Sequence, residues 1–334
     1  MQPDISVILP FYNAAHTLNN AIRSIANQTY DNFECILINN NSTDGSKDIA
    51  KAWEKNDSRF RLVEESKQGV VFASNKGSAL ACGRYIARMD ADDWAYPERL
   101  ELQSQFLDQH PSYEAVVGLA RYENQTGNRT GFQNYVDWVN SLKTYKEIKA
   151  GRFIDSPIVN PTAMWRRITG EIFGLYRDGD FPEDYEMWLR WLSQGVKIAK
   201  INRFVIKWMD SENRLTRTHP IYSDEAFYRV KTFYLSKWLK NNNPHHPFIS
   251  VWGASKISRK RAALLEKYGI KINFYIDTKR TRQLEKKVLY YKDIPTAGEV
   301  FILVYVRQWH AKEDIKQFLN EKSYIEGKNY LMIS

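Results

Sequence analysis

Four short apolar runs precede residue 90: Ile5–Leu9, Phe33–Ile38, Phe60–Val63 and Tyr85–Met89. Each has the length and apolar continuity of a buried strand. Between them lie segments of helical character. Leu18, Ile22 and Ile25 share one helical face, Ser42-Thr43-Asp44-Gly45 offers caps ahead of Ile49, Ala50 and Trp53, and Asn75–Cys82 is rich in small residues. Strands alternating with helices predict a mainly parallel sheet covered on both faces. Such sheets bind ligands beyond the carboxyl ends of their strands. Pro10 to Asn13, Asn39-Asn40-Asn41, and the acidic group Asp90, Asp92 and Asp93 all fall at such ends.

The rest of the chain divides by pattern. From Val116 to Lys240 it is less regular, with one clear helix in which Tyr185, Trp188, Leu189 and Leu192 form a stripe, and an aromatic-rich helix over Phe227–Leu239. The polar string Asn241 to Pro247 reads as a linker. After it the strand–helix alternation resumes: Phe248–Trp252, Ile272–Ile276 and Glu299–Val306 as strands, Ser258–Tyr268 and Ala311–Leu319 as helices. The expected organisation is an α/β domain over residues 1–240, a linker over 241–247, and a small Rossmann-like accessory domain over 248–334. The turn Trp252-Gly253-Ala254-Ser255 has only the first glycine of a dinucleotide fingerprint, so no such cofactor is expected there, despite Asp277 at a ribose-like distance along the chain.

The 334 residues exceed what one core usually holds, in keeping with two domains. No basic, apolar leader opens the chain, no run approaches the length of a membrane span, and Cys35 and Cys82 both lie inside expected elements. The expectation is a cytoplasmic protein. The net charge of +9 fits a solvated surface, and equally attraction to anionic partners such as nucleotide sugars, lipid phosphates or the inner face of the membrane. Nucleic acid is not an expected partner, because the basic residues are scattered and no recognition helix is evident.

Side chains at i and i+2 of an extended segment point the same way, so Asp90 and Asp92 are expected to face one site. Clustered carboxylate oxygens suit a hard divalent cation, Mn2+ or Mg2+, with water and phosphate oxygens completing its shell. Spacing alone equally allows a solvated acidic turn before the helix that starts near Pro97 and Glu98. Glu183 and Asp184 have two readings as well: favourable charges in the first turn of a helix, or an acid–base pair. His219 is a candidate to complete a metal shell, and read alone is an ordinary structural histidine. Trp165 and Trp94 are candidates to flank a sugar, and equally core aromatics.

A resemblance adds to these readings. Ile5-Ser6-Val7-Ile8-Leu9-Pro10-Phe11-Tyr12-Asn13, Asn39 to Ser46, the stretch Gly69 to Asp93 with Gly69, Ala73, Asn75, Gly77, Ala81, Gly83 and Ile86 in step, and Glu183-Asp184-Tyr185-Glu186 followed by Arg190 occur in that order. Together, over about residues 5 to 240, they resemble family 2 glycosyltransferases of the GT-A fold. The resemblance implies an inverting transfer from a nucleotide-diphosphate sugar, best read as a UDP-sugar, to a glycan or lipid-linked acceptor in surface polysaccharide synthesis. It implies that Pro10, Tyr12, Asn40 and Asp90 border base and ribose, within a nucleotide- and donor-binding set that adds Asn13, Gly69, Asn75 and Asp93. Asp92, in the family's Asp-x-Asp motif, would hold the metal with Asp90, and Asp184 would be the catalytic base with Glu183 beside it.

Two departures stand out. Asn39 and Asn40 occupy places where the family usually has acids, and an amide can donate as well as accept. Ser74 stands where the family often has arginine, with Lys76 and Arg88 the nearest replacement cations. Two further readings stay open: a sugar-phosphate nucleotidyltransferase, which usually carries a glycine-rich basic loop that Pro10 to Asn13 lacks, and a non-catalytic sugar-nucleotide-binding protein.

Overall fold

The side chains of Ile5, Val7, Leu9 and Phe11 point into one buried cluster and that of Ile8 into another, so the first strand is enclosed on both faces. This is the centre of a computed structural model that describes residues 2–124, 131–210, 214–280 and 284–334. Two compact units are present: Met1–Lys149 with Pro157–Tyr222, and Ala150–Ser156 with Ser223–Ser334.

The first unit holds an eight-stranded sheet of β1 (Ile5–Phe11), β2 (Phe33–Asn39), β3 (Phe60–Glu64), β4 (Tyr85–Arg88), β5 (Trp94–Ala95), β6 (Ala115–Asn124), β7 (Ala163–Arg166) and β8 (Ile198–Asp210). Their order is β3-β2-β1-β4-β7-β6-β8-β5. β1 pairs in parallel with both β2 and β4, and β2 with β3. β7 runs antiparallel between β4 and β6, and β5 antiparallel beside β8. One face is covered by Leu18, Ala21, Ile22 and Ile25 of the helix Leu18–Ala26, together with Leu100 and Leu107. The other is covered by Val71 and Ala73 of the helix Val70–Leu80 and by Met187, Trp188 and Trp191 of the helix Glu183–Ser193.

The helix expected over Asn75–Cys82 runs instead over Val70–Leu80. It begins where Gly69 takes a φ of +133°, a backbone state that favours glycine, and closes before Cys82, whose N–H donates to Glu34 Oε1 at 2.7 Å. The return to β4 is tight. Gly83 N–H donates to Ser6 Oγ (2.8 Å), and that hydroxyl donates to Glu34 Oε1 (2.6 Å).

The second unit holds a five-stranded parallel sheet of β9 (Phe248–Trp252), β10 (Lys271–Asp277), β11 (Val288–Tyr290), β12 (Ile302–Val304) and β13 (Tyr330–Met332), ordered β11-β10-β9-β12-β13. The expected boundary over 241–247 is not where the compact units divide. The helix Asp224–Asn242 belongs to the second unit, because its buried face is tied there. Lys231 Nζ donates to Ile333 O (2.9 Å), Tyr228 Oη and Ser334 Oγ lie 2.7 Å apart, and Trp238 packs on Phe301. The polar string that resembles a linker is a built turn. Asn243 is buried, donates to Phe248 O (2.9 Å) and accepts from His245 N–H (2.9 Å). Among the described residues no helix is long and apolar enough to cross a membrane.

A Cβ at position 83 would lie 2.6 Å from Ser6 N and 2.7 Å from Ile5 C, backbone atoms of the central strand. Gly83→Ala is therefore expected to cost roughly 1–3 kcal/mol, read as a lowered midpoint of urea denaturation. Gly45→Ala, whose Cβ meets nothing within 4 Å, serves as the near-neutral control.

Candidate active site

β4 ends in Arg88, and the chain then turns through Asp90, Asp92 and Asp93. One oxygen from each carboxylate lies within 4.8 Å of the others. Like charges at that spacing oppose one another, and burial adds to the cost. Asp93 is 2% exposed, and burial followed by the charge of Asp92 holds its carboxyl well above the usual range. Burial also raises Asp92.

Arginines offset this charge from three directions. Arg88, itself buried, donates from Nε to Asp90 Oδ1 at 2.8 Å, and its Nη2 also lies 2.8 Å from that oxygen. Arg214 Nη1 lies 3.8 Å from Asp92 Oδ2 and 3.7 Å from Asp93 Oδ1, with its guanidinium 4.1 Å from the centre of the Trp208 ring. Arg99 is fully buried beneath the turn. It donates to Arg88 O (2.6 Å) and Ala163 O (3.3 Å), and burial pulls its guanidinium down to about 9. Asp93 Oδ1 accepts from Met209 N–H (2.9 Å), whereas Asp93 Oδ2 is buried with no hydrogen-bond partner among the described residues. A buried carboxylate oxygen without a donor, beside two more carboxylates, fits a hard divalent cation.

The second acidic pair sits at the start of the helix Glu183–Ser193, with Pro182 as its N-cap residue. The helix is fixed by Trp188 and Trp191, which meet Trp165 edge-on at 6.3 and 5.8 Å between ring centres. Arg190 pairs with Glu186 (3.0 Å) and caps the carbonyls of Phe173, Gly174 and Leu175. Glu183 is buried, and Tyr222 Oη donates to its Oε2 at 2.8 Å. Asp184 is half-buried, and burial together with Glu183 pushes its carboxyl up to about 8. Asp90 and Arg88 act electrostatically on both Glu183 and Asp184, so the two acidic groups lie within electrostatic reach of one another.

The remaining candidates divide. Pro10 is buried and Tyr12 is exposed beside it, while Asn13 takes a φ of +47° and accepts from Thr43 N–H at 2.8 Å. Asn40 is buried with its amide committed: Nδ2 donates to Glu65 O (3.0 Å) and Lys67 O (2.8 Å), and Oδ1 accepts from Gly69 N–H (2.7 Å). Asn39 bonds Glu64 and Ser42 in the same way. Asn75 donates to Tyr176 O (2.8 Å), with its Oδ1 buried and without a hydrogen-bond partner among the described residues. Of the two cations near Ser74, Lys76 is exposed, and Arg88 Nη1 donates to Ser74 Oγ. His219 is exposed, accepts from Ile221 N–H at 3.4 Å, and is not in the three-aspartate group. Trp165 is 1% exposed and belongs to the core, so it presents no face to a sugar. Trp94 is half-buried under Lys207 Nζ, 4.7 Å from the ring centre. Arg214 and Tyr222 were not legible in the sequence. Neither belongs to a periodic pattern, and both reach their partners only through the fold.

Solved structures share this architecture. S. aureus TarS (residues 1–349), in complex with UDP-GlcNAc, aligns over 80% of this chain and 71% of its own with a TM-score of 0.55 at 17% identity. The mannosyltransferase PcManGT from Pyrobaculum calidifontis, in complex with GDP-Man and Mn2+, aligns over 80% of this chain and 70% of its own, with a TM-score of 0.52 at 18% identity. The fold is thus that of GT-A glycosyltransferases. The description "Glycosyl transferase family 2" matches residues 6–173, and the chain belongs to that family. Relatives in Bacillus subtilis include EpsE, named as a glycosyltransferase, 32% identical over 227 residues (66% of this chain, 78% of EpsE). TuaG, named as a teichuronic acid biosynthesis glycosyltransferase, is 37% identical over 216 residues (64% of this chain, 82% of TuaG).

Mn2+ is expected to raise the melting temperature of the protein, by the equivalent of about 2.7 kcal/mol at a hundredfold excess over Kd. Asp92→Asn is expected to lose that response. Without metal it is expected to melt no lower than the parent, because it relieves a like-charge contact. A retained Mn2+ response would remove Asp92 from the metal set.

Proposed function

We propose that this glycosyltransferase is an inverting enzyme that moves a sugar from a UDP-type donor to a hydroxyl of a glycan or lipid-linked acceptor during surface polysaccharide assembly. The observation that supports this is that two acidic groups lie within electrostatic reach of one another: the three aspartates after β4, and Asp184 at its helix start. A single displacement needs a site for the leaving diphosphate and a base for the incoming hydroxyl, and no covalent enzyme intermediate. The names of TuaG and of the nucleotide-sugar complexes support the substrate class.

The distinction between Glu183 and Asp184 supports Asp184 as the base. Glu183 is buried and already accepts from Tyr222, which suits a positioning role. Asp184 is half-buried and, among the described residues, accepts only a backbone hydrogen bond, from Tyr185 N–H at 2.6 Å. It takes the proton of the acceptor hydroxyl as that oxygen bonds to the anomeric carbon and the bond from that carbon to the diphosphate oxygen breaks, which inverts the configuration. Asp92 and Asp93, with Asp90 oriented by Arg88, would hold a divalent ion. When bound, such an ion offsets the charge that develops on the departing diphosphate. Arg214, against Asp92 and Asp93, places a further positive charge at that point. Tyr12 and the 65–69 segment pinned by Asn40 line the proposed nucleoside region.

Asp184→Asn is expected to keep donor binding and to lose about 10²–10⁴-fold in transfer. The working form of the base is the carboxylate, and its value is raised to about 8. Transfer by the parent is therefore expected to rise with pH through that region, and a bound cation moves the rise to lower pH without reversing it. A flat profile in the parent, or near-parental transfer by Asp184→Asn, places the base elsewhere.

Calorimetric titration with UDP, GDP, CDP and TDP, each with and without Mn2+, tests the donor. UDP is expected to bind most tightly and only with metal. Equal affinity for all four would remove the base assignment.

A further inference from the structure

We propose that the second unit carries a binding site for a neutral saccharide, one sugar ring in size, at the amino-terminal edge of its sheet. A cavity of about 230 Å3 opens there, bordered by His245, Phe248, Ser250, Asn273, Glu299 and Phe301. These residues come from the starts of three adjacent strands, β9, β10 and β12, and from the turn before β9. This is the edge opposite the one where an open parallel sheet usually holds its ligand.

Two features mark the cavity as built. The first is a bulge. Ile272 pairs with Ile249 and Tyr275 with Val251, so β10 advances three residues while β9 advances two. The extra residue falls at 273–274 and changes the aim of the side chains there. The second is Ser250. The residue borders the cavity, and its hydroxyl is fully buried with no hydrogen-bond partner among the described residues. Buried hydroxyls are normally paired, so this one has hydrogen-bonding capacity left unused beside the cavity.

The lining selects the ligand. The Phe248 ring is 42% exposed and offers an aromatic face, with Lys271 Nζ standing 5.7 Å from its centre. Asn273 both donates and accepts. Glu299 accepts from Thr296 N–H at 2.9 Å, and His245 Nε2 lies 2.9 Å from Gly298 O, so that nitrogen donates and Nδ1 is left as an acceptor. A carboxylate is present and, among the described residues, neither lysine nor arginine lines the cavity itself, Lys271 lying beyond the Phe248 ring, which disfavours phosphate and nucleotides. His245, the neighbouring His246 and Glu299 do not form a metal-binding group, since among the described residues that arrangement is found only at Asp90, Asp92 and Asp93. Aromatic faces with scattered donors and acceptors suit a ligand with one apolar face and many hydroxyls. The volume lies below the roughly 300–1,000 Å3 of drug-sized sites, and so suits a single ring.

The cavity belongs to the second unit and the transfer chemistry to the first, and the test separates the two roles. Saturation-transfer NMR on the full chain, with UDP and Mn2+ present, would use the methyl glycosides of glucose, galactose and N-acetylglucosamine as probes. At least one is expected to show transfer, retained in Asp184→Asn and weakened about fivefold or more in Phe248→Ala. Ser250→Val, which replaces the unpaired hydroxyl with a bulkier apolar side chain, is expected to weaken it while UDP binding stays parental. No transfer from any probe, or transfer unchanged in both Phe248→Ala and Ser250→Val, would overturn the proposal. Neither result bears on Asp184.

Discussion

Three carboxylates packed within one turn can exist in a folded chain only if something offsets their repulsion, and much of the first unit is arranged around that requirement. Arg88, Arg99 and Arg214 approach the turn after β4 from a strand, a helix and the segment after β8. Arg99 does not pair with a carboxylate. It ties the carbonyls of Arg88 and Ala163 together, so the end of β4 is fixed to the strand beside it. Asp90 spends its charge on Arg88, while Asp92 and Asp93 are matched only loosely by one guanidinium at more than 3.5 Å. The imbalance leaves Asp92 and Asp93 less well matched than Asp90, and burial raises both of their carboxyls.

The strand–helix alternation before residue 90 was legible because each element there is local: one buried strand, one amphipathic helix, one cap. The acidic turn and Glu183-Asp184 were legible for the same reason. What joins them was not. Arg214 lies more than a hundred residues from the aspartates it faces, and Tyr222 reaches Glu183 across 39 positions. Burial, not spacing, decides such pairs. Trp165 illustrates the converse error. An aromatic near a sugar site invites a stacking role, yet here its edge-on contacts with Trp188 and Trp191 hold the helix that presents Asp184.

The boundary between the units was misread for a physical reason. A string of asparagine, proline and histidine has the composition of a linker, and composition does not reveal that one asparagine is buried. Asn243 closes the turn by bonding on both sides of it. The helix before it carries Lys231 into the second unit, where that ammonium meets the carbonyls of Ile154 and Ile333. Burial pulls this lysine down to about 7. A charged group that desolvated marks where the helix packs far more reliably than the polarity of the residues after it.

Position 40 shows how a departure from a family pattern can be built into the local structure. The side chain there donates two hydrogen bonds to carbonyls of the 65–69 segment and accepts a third from Gly69. A carboxylate has no N–H to give. Placed here, it would face the oxygens of Glu65 and Lys67 at hydrogen-bond distance, a repulsive contact where the amide makes two attractive ones. Asn40 and the segment it pins therefore form one structural unit, in which an acid is not an equivalent residue. In the proposed site, the features that distinguish one nucleobase from another then belong to the shape of that segment as much as to the side chain beneath it.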